Sequence, residues 1–353
     1  MQPYYFTQDE NAQYFETGFS CDNAIILRAG DERVFITDSR YFTEAKECVK
    51  KGVEVIESKE LGTDFVSVVK KMRLKELYFN SNEISLNLYN YIAKLLYTGI
   101  STSECVLKPA PNFHQKLRII KNKDQIALIA KSQRLNRHAF KAFFEFIAKS
   151  LDKKRHLSER EMHFFASMFL SHKGKYELSF NPIVALNANG AKPHALPNGK
   201  IYCKAGDLLL FDAGLKYKRY CSDRTRTIRI GESMLFGKEQ KFNKPKHQKI
   251  YDIVKKAQET CISKIRAGMK ASEVDKIARD VIENAGYGKY FLHSTGHGIG
   301  LDIHELPIIS SRSSDVVENG MVFSVEPGIY LAGEFGVRIE DLVVIQNGRA
   351  EIL

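Results

Sequence analysis

Between residues 208 and 341 the chain four times sets a carboxylate into an apolar, strand-like run: Leu208-Leu-Leu-Phe-Asp212, Tyr220-Cys-Ser-Asp223, Phe323-Ser-Val-Glu326 and Val337-Arg-Ile-Glu340. A buried carboxylate is expensive unless it is paired or holds a cation. Any fold that buries these runs must therefore gather them around positive charge. A fifth group, His297, lies in His293-Ser-Thr-Gly-His297-Gly-Ile-Gly-Leu-Asp-Ile-His304-Glu-Leu-Pro307, a stretch that carries three of the chain's 10 histidines.

Four carboxylates and one imidazole can hold two divalent cations side by side and lower the pKa of a shared water, which is hydrolytic chemistry. Asp212, Asp223, His297, Glu326 and Glu340 are accordingly the candidate metal ligands. If the two aspartate runs form a hairpin turning between Tyr217 and Lys218, Asp212 and Asp223 stand directly opposite, with Cβ atoms about 5 Å apart. The purely structural alternative has Asp212 closing a turn with Gly214 and Asp223 pairing with Arg224 or Arg226. In the last run, strand alternation puts Arg338 on the same face as Glu340. There it can orient a metal-bound carboxylate.

The glycines around His297 permit close backbone approach. Gly296, Gly298 and Gly300 miss the dinucleotide-binding spacing, and His304-Glu305 lacks the second histidine of a zinc-protease helix, since position 308 is Ile. The 6 cysteines form no Cys-x-x-Cys pair, which argues for reduced thiols. Cys221 lies two residues before Asp223 and is read as packing, because thiolate suits an oxygen-rich site poorly.

Along the chain, residues 23–37 read as a hairpin turning at Ala29-Gly-Asp-Glu. Helical patterns follow at Glu44–Lys51 and Phe65–Leu74, then a strand at Glu76-Leu-Tyr-Phe, which together imply a small α/β layer. Lys108-Pro-Ala-Pro-Asn112 excludes regular structure, and a domain boundary is placed near residue 115, giving domains 1–115 and 116–353. The second begins with helices to about residue 172. It turns strand-rich at Asn181–Leu186 and Asp207–Ile230, and Gly231 to Lys249 reads as a polar loop. Helical pattern returns at Gln248–Ala267 and Ser272–Asn284, and strands at Met321–Ile345. The fold class expected is α+β.

A hydrophobic content of 44% with 27% charged residues is that of a globular chain. The first residues lack a signal peptide's basic and apolar regions, and no apolar run is long enough for a membrane helix, so a soluble cytoplasmic protein is expected. The net charge of +11 admits a polyanion partner. Its lysines are spread along the chain, however, with clusters only at Lys153-Lys-Arg-His156 and between Lys238 and Lys249, so a solvated basic surface is the expectation and no nucleic-acid partner is assigned.

The phrases Phe-Asp212-Ala-Gly, Ser-Asp223-Arg-Thr-Arg-Thr, Gly-His297-Gly-Ile-Gly, Val-Glu326-Pro-Gly-Ile-Tyr and Val-Arg338-Ile-Glu340-Asp, in that order, resemble the pita-bread metallopeptidases. That group includes methionine aminopeptidase, Xaa-Pro aminopeptidase and Xaa-Pro dipeptidase (prolidase). Tyr14-Phe-Glu-Thr-Gly18-Phe and Thr37-Asp-Ser-Arg40-Tyr resemble the N-terminal domain that the proline-specific members share with creatinase. Bacterial methionine aminopeptidase normally lacks that domain, and creatinase lacks the ligands. The resemblance thus implies a C-terminal pita-bread catalytic domain behind a smaller creatinase-like α/β domain.

It also implies roles. Asp212 would chelate one metal, Asp223 and Glu340 would bridge both, and His297 and Glu326 would complete the shell. Glu326 would act as general base to a metal-bridging hydroxide, His304 would stabilise the oxyanion, and Arg338 would support the centre. The segment Asn181 to His194 resembles the family stretch whose histidine lines the substrate pocket, with Leu186-Asn187 where Ser-Gly is common. His194 and His293 would hold substrate near its proline ring. Manganese is the ion expected for the family, with Co²⁺, Fe²⁺ or Zn²⁺ also compatible with a ligand set free of thiolate. Peptides with proline second are the implied substrates, and a homodimer or larger homo-oligomer the implied assembly.

Aminopeptidase and dipeptidase share every ligand. A dipeptidase must also capture a free carboxylate, and some members carry Arg directly after the His-Glu-x-Pro stretch, where this chain has Ile308. Arg312 stands nearby as a substitute. The reading therefore leans to an Xaa-Pro aminopeptidase, with the dipeptidase as the alternative and a non-catalytic basic binding module as a distant one.

Overall fold

The computed structural model describes residues 4–97, 105–231, 234 and 236–353, and the chain splits into two compact units, Met1–Leu117 and Arg118–Leu353. In the first, the elements run β1 (Tyr4–Thr7), α1 (Glu10–Thr17), β2 (Ala24–Ala29), β3 (Glu32–Thr37), α2 (Ser39–Cys48), β4 (Val53–Glu57), α3 (Leu61–Lys71), β5 (Glu76–Phe79), α4 (Leu86–Tyr97), β6 (Val106–Pro109) and α5 (Phe113–Arg118). The six strands form one sheet in the order β4-β3-β2-β1-β5-β6. Alternation buries both faces: Ile25, Leu27, Val34 and Ile36 pack with Phe65 on one side, while Ala24, Ile26 and Phe35 pack with Ala45 on the other.

The β2–β3 hairpin turns at Gly30-Asp31, as the sequence implies. Helix α2 begins five residues earlier than periodicity suggests, because Asp38 caps it by accepting from Arg40 N. Likewise α3 begins at Leu61 and not Phe65. Residues 108 and 109 are not irregular. They belong to β6, which pairs parallel to β5 at the edge of the sheet, where a proline's missing N–H is tolerated.

The second unit opens with α6 (Lys123–Asp152) and α7 (Glu159–Leu170), followed by β7 (Ile183–Leu186), β8 (Leu208–Ala213), β9 (Lys216–Tyr217), β10 (Tyr220–Cys221) and β11 (Arg224–Arg229). Then come α8 (Pro245–Lys264), α9 (Ala271–Asn284), β12 (Gly296–Gly298), β13 (Glu305–Ile309), β14 (Val322–Val325), β15 (Gly328–Leu331), β16 (Phe335–Arg338), β17 (Asp341–Gln346) and β18 (Arg349–Ile352). Strands β11-β8-β7 make one antiparallel sheet and β13-β12-β14-β17-β18 another, with β9–β10 and β15–β16 as hairpins.

Helices α6 and α7 cover the first sheet, where the rings of Phe140 and Phe143 lie 4.3 and 4.9 Å from that of Phe211. Helices α8 and α9 cover the second through Cys261, Ile265, Val274 and Ala278 against Phe323, Val325 and Val343. This is the expected α+β architecture. Helix α8 starts inside the stretch read as a loop, with Pro245 in its first turn, where a missing N–H is harmless. Residues 232, 233 and 235 of that stretch lie outside the described residues.

Candidate metal centre

The two aspartates reach the centre by a different register from the one expected. Lys218 and Arg219 both adopt positive φ (47° and 68°) and form the two-residue turn, which moves the hairpin centre one residue along. Asp212 therefore faces Thr225, and Asp223 precedes β11 as a diagonal neighbour on the same side. Helix α6 sets their backbone: Gln133 Nε2 donates to Asp223 O at 2.8 Å and Asn136 Nδ2 to Ala213 O at 2.9 Å.

The other ligand candidates come from the second sheet and its hairpin. His297 lies in β12, Glu326 between β14 and β15, and Glu340 between β16 and β17, its N–H donating to Thr225 O at 3.1 Å. Glycine makes the approach of β12 possible, since a Cβ on Gly296 would lie 1.9 Å from Ser324 O. Asp223, His297 and Glu340 each bring a ligand atom to within 4.8 Å of the others. His297 Nε2 stands 3.3 Å from Glu326 Oε1 and 3.7 Å from Asp223 Oδ2. Asp212 joins through Arg338, whose NH2 donates to Asp212 Oδ2 at 2.6 Å.

The electrostatics are those of an anion-rich pocket. Burial pushes the Asp223 carboxyl well above the usual range, helped by Glu340 and Asp212. Burial does the same to Glu340, with Glu326 and Asp212 adding to it, and raises Glu326. Asp212 Oδ1 and Glu340 Oε1 are buried with no hydrogen-bond partner among the described residues. His297 Nδ1 lies 3.1 Å from Gly298 O, so this nitrogen carries the proton and Nε2 presents a lone pair to the carboxylates. Burial also lowers the pKa of His297 and favours this neutral form. Orphaned carboxylate oxygens around a neutral imidazole are the donor set of a divalent cation.

Around this set, Arg338 donates from Nε to Thr225 Oγ1 at 3.0 Å and from NH1 to Tyr330 OH at 2.7 Å. Tyr330 OH in turn lies 2.8 Å from His293 Nε2, whose Nδ1 is 2.8 Å from Ser294 O. His304 is exposed at the mouth, its ring 4.4 Å from that of His297. His194 is close enough to perturb both His293 and His304 electrostatically. Arg312 is exposed on the turn after β13, and no hydrogen bond or ion pair among the described residues ties it to this cluster.

Arg224 and Arg226 do not serve Asp223. They reach Asp341 Oδ1 at 2.8 and 2.6 Å. Cys221 is buried with Sγ on Leu301 O, and burial pushes its thiol up to about 12, as suits packing. Asn187, which stands where Ser-Gly is common, takes φ 46°, a conformation Asn tolerates, and clips the loop to Asp207 and Leu208. Thr225, Tyr330 and Asp341 were missed in the sequence. For Thr225 the signal was there, since alternation in Asp223-Arg-Thr225 puts it on the aspartate's face.

A buried cluster of carboxylates and imidazole at the junction of two antiparallel sheets defines a metal-dependent hydrolase. Residues 127–347 match metallopeptidase family M24, and residues 2–120 match the creatinase/prolidase N-terminal domain. A peptidase of Bacillus subtilis (strain 168), YqhT, is 35% identical over 98% of this chain and 92% of its own. An Xaa-Pro dipeptidase structure from Bacillus anthracis superposes with TM-score 0.88 at 32% identity, covering 99% of this chain and 92% of that one. An X-Pro aminopeptidase from Thermotoga maritima does so with TM-score 0.83 at 29% identity, covering 99% and 95%. The chain belongs to metallopeptidase family M24: a creatinase-type N-terminal domain followed by a pita-bread peptidase domain, acting on peptides with divalent metal ions.

Proposed function

We propose that this protein is a dinuclear-metal aminopeptidase that hydrolyses the Xaa-Pro bond at the N-terminus of peptides. The observation that carries the choice over a dipeptidase is the pairing of Ile308 with His297 across β12 and β13. Cross-strand partners project to the same face, so position 308 flanks the metal centre at its mouth, being 37% exposed. An isoleucine there offers nothing to a dipeptide's free carboxylate and leaves room for a longer chain. The likeness to an Xaa-Pro dipeptidase supports the alternative reading.

In this reading Asp212, Asp223, His297, Glu326 and Glu340 would together hold two divalent ions, with Asp223 and Glu340 the carboxylates that would be shared between them. Two bound divalent ions, Mn²⁺ by expectation, would supply a water of lowered pKa and polarise the scissile carbonyl. Glu326, its pKa raised by burial and its Oε1 3.0 Å from Ser324 Oγ, is the group placed to take a proton. Partial desolvation, with His297 beside it, lowers the pKa of His304 and favours the neutral imidazole, and its exposed ring can donate to the oxyanion. Both nitrogens of His293 are engaged, with Ser294 O and Tyr330 OH, so it offers the substrate a fixed ring face and not a hydrogen bond. Arg338 holds Asp212 in place and balances its charge.

The division into domains 1–115 and 116–353, a cytoplasmic location and a homodimer belong to the same reading. Among the described residues no helix is long and apolar enough to cross a membrane. The test compares Mn²⁺-loaded protein on Xaa-Pro dipeptides and on Xaa-Pro-Xaa peptides. Cleavage of the longer peptides is expected, and cleavage of dipeptides alone replaces this reading with the dipeptidase.

A further inference from the structure

The first unit gathers ligand-type side chains that take no part in the peptidase centre. Asp9, Glu83 and His114 each bring a ligand atom to within 4.8 Å of the others. They come from three places in the chain: Asp9 caps α1, Glu83 lies in the turn after β5, and His114 is the second residue of α5. His114 Nδ1 is 3.3 Å from Glu83 Oε2. Its ring is buried against those of Phe113 and Tyr5, with centroids 4.1 and 5.7 Å away, which fixes its direction.

An ion pair of histidine with a carboxylate accounts for these three groups but not for their neighbour Asn80. Asn80 is 3% exposed, and its Oδ1 accepts from Asn82 N at 3.2 Å and Asn112 N at 3.0 Å, which sets the orientation of its amide. Nδ2 is then buried with no acceptor among the described residues. A buried donor left so is unfavourable, and such groups ordinarily find a partner or a bound species. Asn80 lines a cavity of about 30 Å³ together with Asp9 and Glu83. That is room for a bound water.

The geometry points to a divalent-cation site in which Asp9, Glu83 and His114 are ligands and Asn80 is the outer donor. A cation lets the two carboxylates converge on one imidazole. Asn80 lines the same cavity as Asp9 and Glu83, where a carboxylate oxygen or a water is the acceptor its Nδ2 requires. One imidazole with two carboxylates and no thiolate suits a borderline ion such as Zn²⁺ or Mn²⁺. Bound there, the ion ties the start of α1, the turn after β5 and α5 together within this unit.

The test is Zn²⁺ content after equilibrium dialysis of the full chain, measured on the unaltered protein, on Glu83→Gln and on Asp9→Asn. Glu83 is exposed, and Asn at position 9 keeps a side-chain acceptor for Ala12 N, so both variants should keep the native circular dichroism and the native peptidase rate. Each is expected to hold one ion fewer per chain than the unaltered protein. Equal Zn²⁺ content in all three overturns the site, and so does a loss confined to the peptidase centre, seen as a fall in peptidase rate with the lost ion.

Discussion

Thr225 Oγ1 donates to Glu340 Oε2 at 2.7 Å and accepts from Arg338 Nε at 3.0 Å, so one hydroxyl orients a candidate bridging ligand and the arginine that holds Asp212. Thr225→Val removes the hydroxyl and keeps the β-branched shape in a fully buried strand position. Metal affinity should fall by about 10- to 100-fold, the usual effect of losing an outer-shell partner. A Mn²⁺ titration of peptidase activity checks this, and an unchanged half-saturating concentration would remove Thr225 from the site.

Asp223→Asn and Glu340→Gln should each abolish turnover while leaving the protein folded. Retained activity in either purified variant would sink the two-metal assignment. Both carboxyls have folded pKa values raised by burial, so the stability they contribute is present below about pH 4 and is lost as pH rises through the folded value. In EDTA at pH 8, thermal melting should therefore show Glu340→Gln at least as stable as the unaltered chain.

The same sign governs metal binding. Raised carboxyl pKa values mean that protons compete with the cation at Asp223 and Glu340, so binding releases protons and tightens with pH. His297 adds little above pH 6.5, since burial already keeps it neutral. Calorimetry should find tighter Mn²⁺ binding at pH 8 than at pH 6, with a heat that varies with buffer ionisation. A constant affinity across that range contradicts the assignment.

Ile308→Arg should raise kcat/KM on Xaa-Pro dipeptides relative to Xaa-Pro-Xaa peptides, by about 10-fold for one added carboxylate contact, taking such a contact as worth about 1.4 kcal/mol. The gain depends on position 308 lying beside His297. A variant with an unaltered ratio places the substrate's C-terminus elsewhere.

Asp341, buried next to Glu340 in the chain, accepts from the buried Arg224, Arg226 and Gln258 and pairs with the half-buried Lys238 at 3.2 Å. Asp341→Asn strands these cations, which should destabilise the fold by about 3–5 kcal/mol, measured by urea unfolding. The three cations hold the Asp341 carboxyl well below the usual range, outweighing the burial that would raise it. Its contribution is therefore present above the unfolded value near 4 and lost as pH falls below it.

The carboxylates in apolar strands were legible because each breaks the pattern of its own neighbours, and His297 because glycines surround it. The first unit's hairpin was legible too, since Gly30 marks its turn. The aspartate hairpin was misread by one residue at its centre, because Lys218 and Arg219 carry no mark of the left-handed conformation they adopt. Tyr330 looked like any strand tyrosine, and its partner His293 lies 37 residues away.

By itself, then, the sequence determined which side chains could not be buried alone, and with them the chemistry. Only the tertiary structure decided that Asp212 is held by Arg338, 126 residues distant, that Arg224 and Arg226 pair with Asp341 and not with Asp223, and that Ile308 flanks His297. Local sequence records what a residue requires, whereas the partner that meets the requirement is chosen by strand register and sheet packing, which depend on the whole chain.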